Sequence, residues 1–226
     1  MTMTTPPRLQ FFFGLRSPYA WLAQRLVEAH VAAADQARID WIPYWDPDPA
    51  MQIALQASGA SILYRPMSRE RHIYILGDLK RTARRLGYPL RWPVDAPDVR
   101  WQSAHVACIA AENQGKGAAL RRALFAARWE EGRDVCDTGV LSGLLTTIGV
   151  TLPADESTTA ALHAQAVACL RLAYDKGTFG LPFFCVGRER FWGVDRLGFA
   201  LTEAGIDSDA LVAAWQGQRR AAVAAP

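Results

Sequence analysis

Cysteine is scarce in this sequence and is never closely paired. The chain has 226 residues and four cysteines, and no two of them have the short spacing that structural zinc sites and dithiol redox motifs use. We therefore expect neither a disulfide framework nor a metal site. The favoured interpretation is that all four are small hydrophobic residues of the core: Cys108, Cys136, Cys169 and Cys185.

Long apolar runs and a large net charge are also missing. No stretch approaches the roughly 18 apolar residues of a membrane span, and the start MTMTTPPR lacks the basic-then-apolar layout of a secretory signal. With 25 Lys and Arg against 22 Asp and Glu, the formal net charge is only +3, which does not indicate a nucleic-acid binder. We expect a cytoplasmic protein that takes a small-molecule substrate, with no nucleic-acid or membrane partner.

The composition is that of a globular protein, and strand patterns occur only near the two ends of the chain. Half of the residues are hydrophobic, which excludes a disordered polymer. RLQFFFGL at 8–15 and RIDWIPY at 38–44 predict two short strands. Between them, Ser17 is placed to cap a helix and Pro18 to open it, because the fixed φ of proline suits the first helical position. Apolar residues at helical spacing continue this helix to about Ala34. The chain therefore begins β-α-β.

The long middle of the chain predicts only helices. Apolar residues recur there at helical spacing, with helices expected near 76–86, 101–113, 117–130, 140–148 and 158–175. After Gly177, the short strand patterns FFCV and RFW precede a closing helix that begins near Asp195. The pattern predicts an α/β fold: a thioredoxin-like four-stranded sheet domain, 8–44 plus 177–220, with a large all-helical insertion at 45–176.

Three stretches, spread from the start of the chain to its end, resemble the same protein family. FFFGLRSPYAWLA at 11–23 is similar to the start of the kappa-class glutathione transferases and bacterial 2-hydroxychromene-2-carboxylate isomerases, a DsbA-like group of the thioredoxin superfamily. GTFGLPFFCVGRERFWGVDRL at 177–197 resembles a second stretch of that family. YILGDLKRTARRLGYPL at 74–90 resembles a third, with less specific residues.

The resemblance implies a glutathione site at Ser17. Dithiol oxidoreductases of this fold begin the first helix with Cys-x-x-Cys, whereas Ser17 to Ala20 contains no sulfur, so the thiol would be imported. The family implies that Ser17 holds the thiolate of glutathione at the helix N-terminus. A cis proline is expected at Pro182, because thioredoxin-like domains have one immediately before the third strand. The family implies that the backbone of Leu181 pairs with the cysteinyl part of glutathione. A plain N-cap remains the alternative role of Ser17.

Three further contacts follow from the same resemblance. Val194 and Asp195 would receive the glutamyl end of glutathione, although Asp195 could instead be a plain N-cap. Arg71 stands where the family carries a lysine for a glutathione carboxylate, and a solvated surface arginine is the alternative. The neighbouring His72 is a candidate acid or base, with a surface role favoured.

Four features depart from the family pattern. Gly14 replaces an acid after the first strand, and WDPDP at 45–49 is unusual after the second. No asparagine occurs between Ser58 and Pro66, and Asp95 stands where asparagine is common. The substrate pocket is therefore expected to differ more than the scaffold does.

The combined interpretation is an enzyme, a glutathione-dependent cis-trans isomerase of an unsaturated aromatic or conjugated carbonyl compound. A kappa-type glutathione transferase is one alternative, because the same thiolate could remain on the acceptor. A divergent non-catalytic or thiol-independent small-molecule-binding protein is the other. Another low-molecular-weight thiol could replace glutathione, and a homodimer is the expected assembly.

Overall fold

The four strands form one mixed sheet in the order β2-β1-β3-β4. The computed structural model describes residues 6–93, 95 and 100–223, with side chains up to residue 217, so the MTMTT start lies outside it. The central strand β1 is parallel to β2 and antiparallel to β3, and β3 is antiparallel to β4. The strands are β1 (Leu9–Phe13), β2 (Ile39–Pro43), β3 (Phe183–Val186) and β4 (Glu189–Trp192).

Ten α-helices accompany the sheet in the described part of the chain. Six of them, α3 to α8, follow β2 and precede β3, so the expected thioredoxin-like fold with a helical insertion is confirmed. The exact domain limits stay a prediction. The helices are α1 (Pro18–His30), α2 (Ala33–Gln36), α3 (Pro49–Ala57), α4 (Arg69–Leu86), α5 (Gln102–Asn113), α6 (Gly117–Trp129), α7 (Thr138–Ile148), α8 (Glu156–Asp175), α9 (Leu197–Glu203) and α10 (Asp209–Val223).

Two helix boundaries differ from the sequence-based prediction. The first helix was expected to reach about Ala34, but it ends at His30 because Val31 adopts extended backbone angles, φ −106° and ψ 130°. The closing helix was expected near Asp195. A 3-10 turn, Val194–Arg196, occupies that place, and α9 begins after it without a side-chain cap. The alternative role of Asp195 as a helix N-cap is therefore wrong.

The buried core is continuous from the sheet into the inserted helices. Four of the five residues of β1 are buried and Gln10 is half-buried, as the mostly apolar sequence of a central strand predicts. Phe11 stacks on Trp41 of β2 at 4.2 Å between ring centroids and meets Phe184 of β3 edge-on at 4.7 Å. Helices α5 and α6 pack against β2 and α1 respectively. The helical insertion therefore shares one core with the sheet domain.

Candidate functional site

A tight turn leads from β1 to the first helix and places Ser17. The N–H of Ser17 donates to the carbonyl of Gly14 at 2.9 Å. Ser17 has extended backbone angles, its Oγ accepts from the N–H of Ala20 at 3.3 Å, and Pro18 opens α1, so the predicted cap is confirmed. No acidic residue lies in the first turn of α1. The positive end of the helix dipole is therefore not neutralised from within this turn.

The cis peptide bond between Leu181 and Pro182 faces this turn. The expected cis proline is confirmed, and the hydroxyl of Ser17 donates to the carbonyl oxygen of Leu181 at 3.3 Å. The distance is longer than the roughly 2.7–2.8 Å typical of a hydroxyl donor. A stronger acceptor placed beside the Ser17 hydroxyl would therefore replace this long contact at little cost.

The segment after β4 lies beside the cis proline. The N–H of Gly193 donates to the carbonyl of Pro182 at 3.0 Å, and the following 3-10 turn packs against α1. Val194 is buried, whereas Asp195 is exposed and pairs with Arg196 at 3.1 Å. The structure thus brings Ser17, the cis proline and this turn to one end of the sheet.

Arg71 and His72 lie at the start of α4, which contacts α1. Both are exposed in the first turns of α4, where the hydroxyl of Ser68 accepts from the N–H of Arg71. The hydroxyl of Tyr19, in α1, donates to Asp78 of α4 at 2.6 Å and fixes that helix beside the site. Arg71 precedes Asp78 by seven residues, roughly 10 Å along the helix axis. Both side chains are exposed, and their assignment to the site stays a prediction.

Two residues that the sequence analysis did not select hold the turn in place. The N–H of Leu15 donates to Nε2 of His105 at 3.0 Å, and the carbonyl of Leu15 accepts from Nε1 of Trp129 at 3.0 Å. His105 comes from α5 and Trp129 from α6. Both bonds are buried and join residues 90 and 114 positions apart in the chain. No local pattern in the sequence could reveal such contacts.

Two of the departures from the family pattern have structural reasons. A Cβ at Gly14 would lie 2.7 Å from Cδ1 of Leu181 and 2.8 Å from the carbonyl oxygen of Tyr44, so no side chain fits there. Asp48, within the 45–49 segment, caps α3 by accepting from the N–H of Met51 at 2.8 Å. Its carboxylate also accepts from the amide of Gln102 at 2.6 Å, which joins the segment to α5.

The four cysteines are free thiols in or beside the core. Cys108 and Cys185 are buried and Cys136 and Cys169 are half-buried, which confirms their interpretation as core residues. Burial raises the pKa of Cys108 and of Cys136 to about 12 and that of Cys169 to about 11. Burial also raises the pKa of Cys185. The thiols are therefore protonated at neutral pH.

The described part of the chain has neither a helix suited to cross a membrane nor a cluster of metal-ligating side chains. Among residues 6–93, 95 and 100–223, none of the helices combines the length and apolar character needed to cross a bilayer. In the same part of the chain, no group of three or more His, Cys, Asp or Glu side chains is arranged to hold a metal ion.

The chain matches the model of the DSBA-like thioredoxin domain over residues 8–205. Because this match covers most of the chain, the protein belongs to that family. A curated relative, the 2-hydroxychromene-2-carboxylate isomerase of Sphingobium xenophagum, is 28% identical over 201 residues, which are 84% of this chain and 94% of the relative. The resemblance noted in the sequence is confirmed.

Two solved structures agree with this fold. A 2-hydroxychromene-2-carboxylate isomerase has a TM-score of 0.61 at 20% identity, with 96% of this chain and 99% of that chain covered. The cytosolic disulfide reductase DsbM from Pseudomonas aeruginosa, solved with GSH, has a TM-score of 0.55 at 19% identity, with 88% and 96% covered. These two structures agree with the chain in fold, and the curated relative supports an enzyme of the isomerase type.

Proposed function

We propose that this protein is a glutathione-dependent cis-trans isomerase in which Ser17 stabilises the reactive thiolate. The main support is the position of the Ser17 hydroxyl. It lies at the N-terminus of α1, and its Oγ is 3.3 Å from the carbonyl oxygen of Leu181, the residue before the cis proline. Dithiol enzymes of this fold have a cysteine at that position. The curated isomerase relative supports the reaction type.

The residues at the site fit a thiolate of external origin. A serine hydroxyl is a hydrogen-bond donor of high pKa, so it can stabilise an anion without serving as a redox group itself. The N-terminus of α1 adds a positive dipole end that favours negative charge. The four cysteine thiols of this chain lie in or beside the core, and burial raises the pKa of each. The site therefore suits an incoming thiol better than one of its own.

The remaining contacts suit a peptide-like thiol. The backbone of Leu181 would pair with the cysteinyl residue of glutathione. Val194 and Asp195 would receive its glutamyl end, because the first N–H groups of a helical turn lack partners within the turn. Arg71 would attract its carboxylate through charge alone. These assignments follow the family resemblance and the common location of Ser17, Leu181 and Asp195.

The substrate is an unsaturated aromatic or conjugated carbonyl compound. The bound thiolate supplies a nucleophile that adds to the conjugated double bond, allows rotation about the resulting single bond and leaves again, so that no thiol is consumed. Ser17 lowers the energy of the thiolate state throughout. The buried aromatic residues beneath the turn, Phe13 and Trp129, limit the access of water from the core side. A transferase would use the same residues and differ only in whether the thiolate leaves.

The test compares thiol binding and ionisation in the wild type and in Ser17→Ala. Glutathione is titrated calorimetrically, and the thiolate absorbance of the complex is followed as pH rises. We expect the wild type to lower the thiol pKa and Ser17→Ala to abolish that effect while affinity changes little. Turnover should then fall far more than binding, because the hydroxyl acts mainly on the reactive state.

The matched control is Ser58→Ala. Ser58 also donates its hydroxyl to a backbone carbonyl, that of Leu55 at 2.6 Å, but at the end of α3. It should leave the thiol pKa unchanged. If the wild type binds neither glutathione nor other low-molecular-weight thiols at millimolar concentration, the proposal is wrong, and a thiol-independent small-molecule-binding role replaces it.

A further inference from the structure

The turn that carries Ser17 is held by side chains of the helical insertion. Leu15 is the second residue of the Gly14–Ser17 turn, and both of its polar backbone atoms bond to side chains. His105 accepts from its N–H at 3.0 Å and Trp129 donates to its carbonyl at 3.0 Å. Leu15, two positions before Ser17, is therefore held by side chains from two different helices, α5 and α6.

The hydrogen bonds of His105 define its tautomer. Its Nδ1 lies 2.7 Å from the carbonyl oxygen of Trp101, which can only accept, so Nδ1 carries the proton. Nε2 is then a free acceptor, as the N–H of Leu15 requires. Burial lowers the pKa of His105 to about 4, and the nearby charge of Arg128 acts in the same direction. The imidazole therefore stays neutral at physiological pH.

Packing around the ring leaves little freedom. His105 is 1% exposed, and its ring stacks on Trp45 at 5.3 Å between centroids with an interplanar angle of 19°. A Cβ at Gly14 would lie 3.9 Å from Nε2, so the turn passes directly over the imidazole. The position of the turn follows the position of His105.

We propose that His105 is a positioning residue for Ser17, holding the Leu15 backbone so that the serine hydroxyl stays aligned with Leu181 and with a bound thiolate. The proposal rests on the proposed function. It assigns to the helical insertion a part in the chemistry, because the acceptor that orients the turn comes from α5 and the matching donor from α6. His105 itself does not reach the reacting atoms.

A purely structural histidine would behave differently. Its loss would lower stability, while the folded fraction would keep the normal alignment of Ser17. A positioning histidine predicts instead that kcat falls with the KM for the thiol nearly unchanged, and that the pKa of the bound thiol rises toward its free value. These readouts separate the two roles in the folded protein.

The experiment uses three variants at the site of the contact. His105→Phe removes the acceptor and keeps the ring volume. His105→Gln keeps one acceptor and one donor and should restore the contact. Trp129→Phe removes the donor to the carbonyl of Leu15. Amide hydrogen exchange of Leu15 and Ser17 is measured by NMR, together with the ionisation of bound glutathione and steady-state kinetics.

We expect His105→Phe to accelerate amide exchange at Leu15 by about tenfold, because the variant loses the free energy of one buried hydrogen bond that opposes opening of the turn. The same variant should raise the pKa of the bound thiol, and Trp129→Phe should change both quantities in the same direction. His105→Gln should remain close to the wild type. Should His105→Phe fail to fold, Trp129→Phe and His105→Gln decide the outcome by the same measurements.

The matched control is Leu145→Ala, a buried position in α7, which packs against α6 and away from the turn. It should lower thermal stability without affecting exchange at Leu15 or thiol ionisation. Equal effects in Leu145→Ala and His105→Phe, or unchanged exchange in His105→Phe, would overturn the proposal. If the wild type binds no thiol, the proposed function fails, and the exchange measurement alone decides whether His105 holds the turn.

Discussion

Gly14 lies directly beneath Leu181. A Cβ at Gly14 would come within 2.7 Å of Cδ1 of Leu181 and within 2.8 Å of the carbonyl oxygen of Tyr44. The backbone oxygen is fixed by the core, so the contact with it cannot be relieved by a rotamer change. Gly14, one of the departures from the family pattern, is therefore required by the packing of this chain.

Gly14→Ala should destabilise the protein and displace Leu181. We expect a loss of about 1–3 kcal/mol in the free energy of unfolding, because the extra methyl group overpacks a closed site. Thiol affinity should fall as well, since the backbone of Leu181 is part of the proposed site. Urea unfolding and calorimetric titration measure the two effects.

Gly143→Ala is the control for this substitution. Gly143 lies within α7, and no heavy atom would come within 4 Å of an added Cβ. The alanine should stabilise the helix by about 0.5–1 kcal/mol, because glycine costs backbone entropy there. A Gly14→Ala variant as stable as the wild type would contradict the assigned close contact.

The neutral state of His105 predicts a stability loss in acid. Burial lowers its pKa from 6.5 to about 4 in the folded protein, so between these values the unfolded chain binds more protons. The stabilising contribution is complete above pH 6.5 and is lost as pH falls toward 4. The expected size is about 3 kcal/mol, from about 1.36 kcal/mol for each pH unit.

Urea unfolding of the wild type and His105→Gln at pH 7 and pH 4.5 measures this contribution. Carboxylates titrate in both proteins, so the difference between the two isolates the histidine. The wild type should lose more stability than the variant on acidification. Parallel losses would mean that His105 is not buried in its neutral form.

The arrangement of strands, the cap at Ser17 and the cis proline at Pro182 were all predictable from the sequence. Strand and cap patterns are local, and the cis proline followed from the expected position of Leu181-Pro182 in the fold. The break after His30 was not predictable, because helical spacing continues through the segment and the extended angles of Val31 interrupt it.

The support beneath the site could not be predicted in the same way. His105 lies in an apolar helix, QSAHVACIAA, where nothing marks it as a partner of the backbone. Its partner, Leu15, is 90 positions away. The need for Gly14 likewise comes from Leu181 and Tyr44, which only the folded chain brings together. Non-local contacts to backbone atoms leave no periodic or spacing signal in a single sequence.

The buried thiols predict that the protein is no dithiol oxidoreductase. Burial raises the pKa of the Cys108 thiol to about 12, so the reactive thiolate is a tiny fraction at neutral pH. Insulin reduction should not exceed that with a serum-albumin control. A variant with alanine or serine at all four cysteines should retain most of its turnover if it folds.

Single-cysteine variants provide the check on this prediction. Each is tested for folding by circular dichroism and for turnover. A variant that folds normally but loses catalysis would show that its cysteine takes part in the reaction. Thiol reagents should modify the folded wild type slowly and the urea-unfolded chain fast, because only the unfolded chain exposes all four.

The exposed position of Arg71 predicts a weak and salt-sensitive contribution to thiol binding. Its side chain is exposed in the first turn of α4, so any attraction to a glutathione carboxylate acts through solvent. Arg71→Ala should weaken glutathione affinity by about two- to fivefold at low salt. The effect should shrink as ionic strength rises, and Arg71→Lys should retain most of the affinity because the charge remains.

Arg85→Ala is the matched control, since it removes an exposed charge in the last turn of the same helix. Arg85 lies 14 residues beyond Arg71, roughly 21 Å along the axis. If Arg71 acts from its own position rather than through the general charge of α4, Arg85→Ala should lower glutathione affinity less than Arg71→Ala does. Equal losses in both variants would reflect the general charge of α4. A loss of more than about a hundredfold in Arg71→Ala alone would instead require a direct, desolvated contact between Arg71 and the bound thiol.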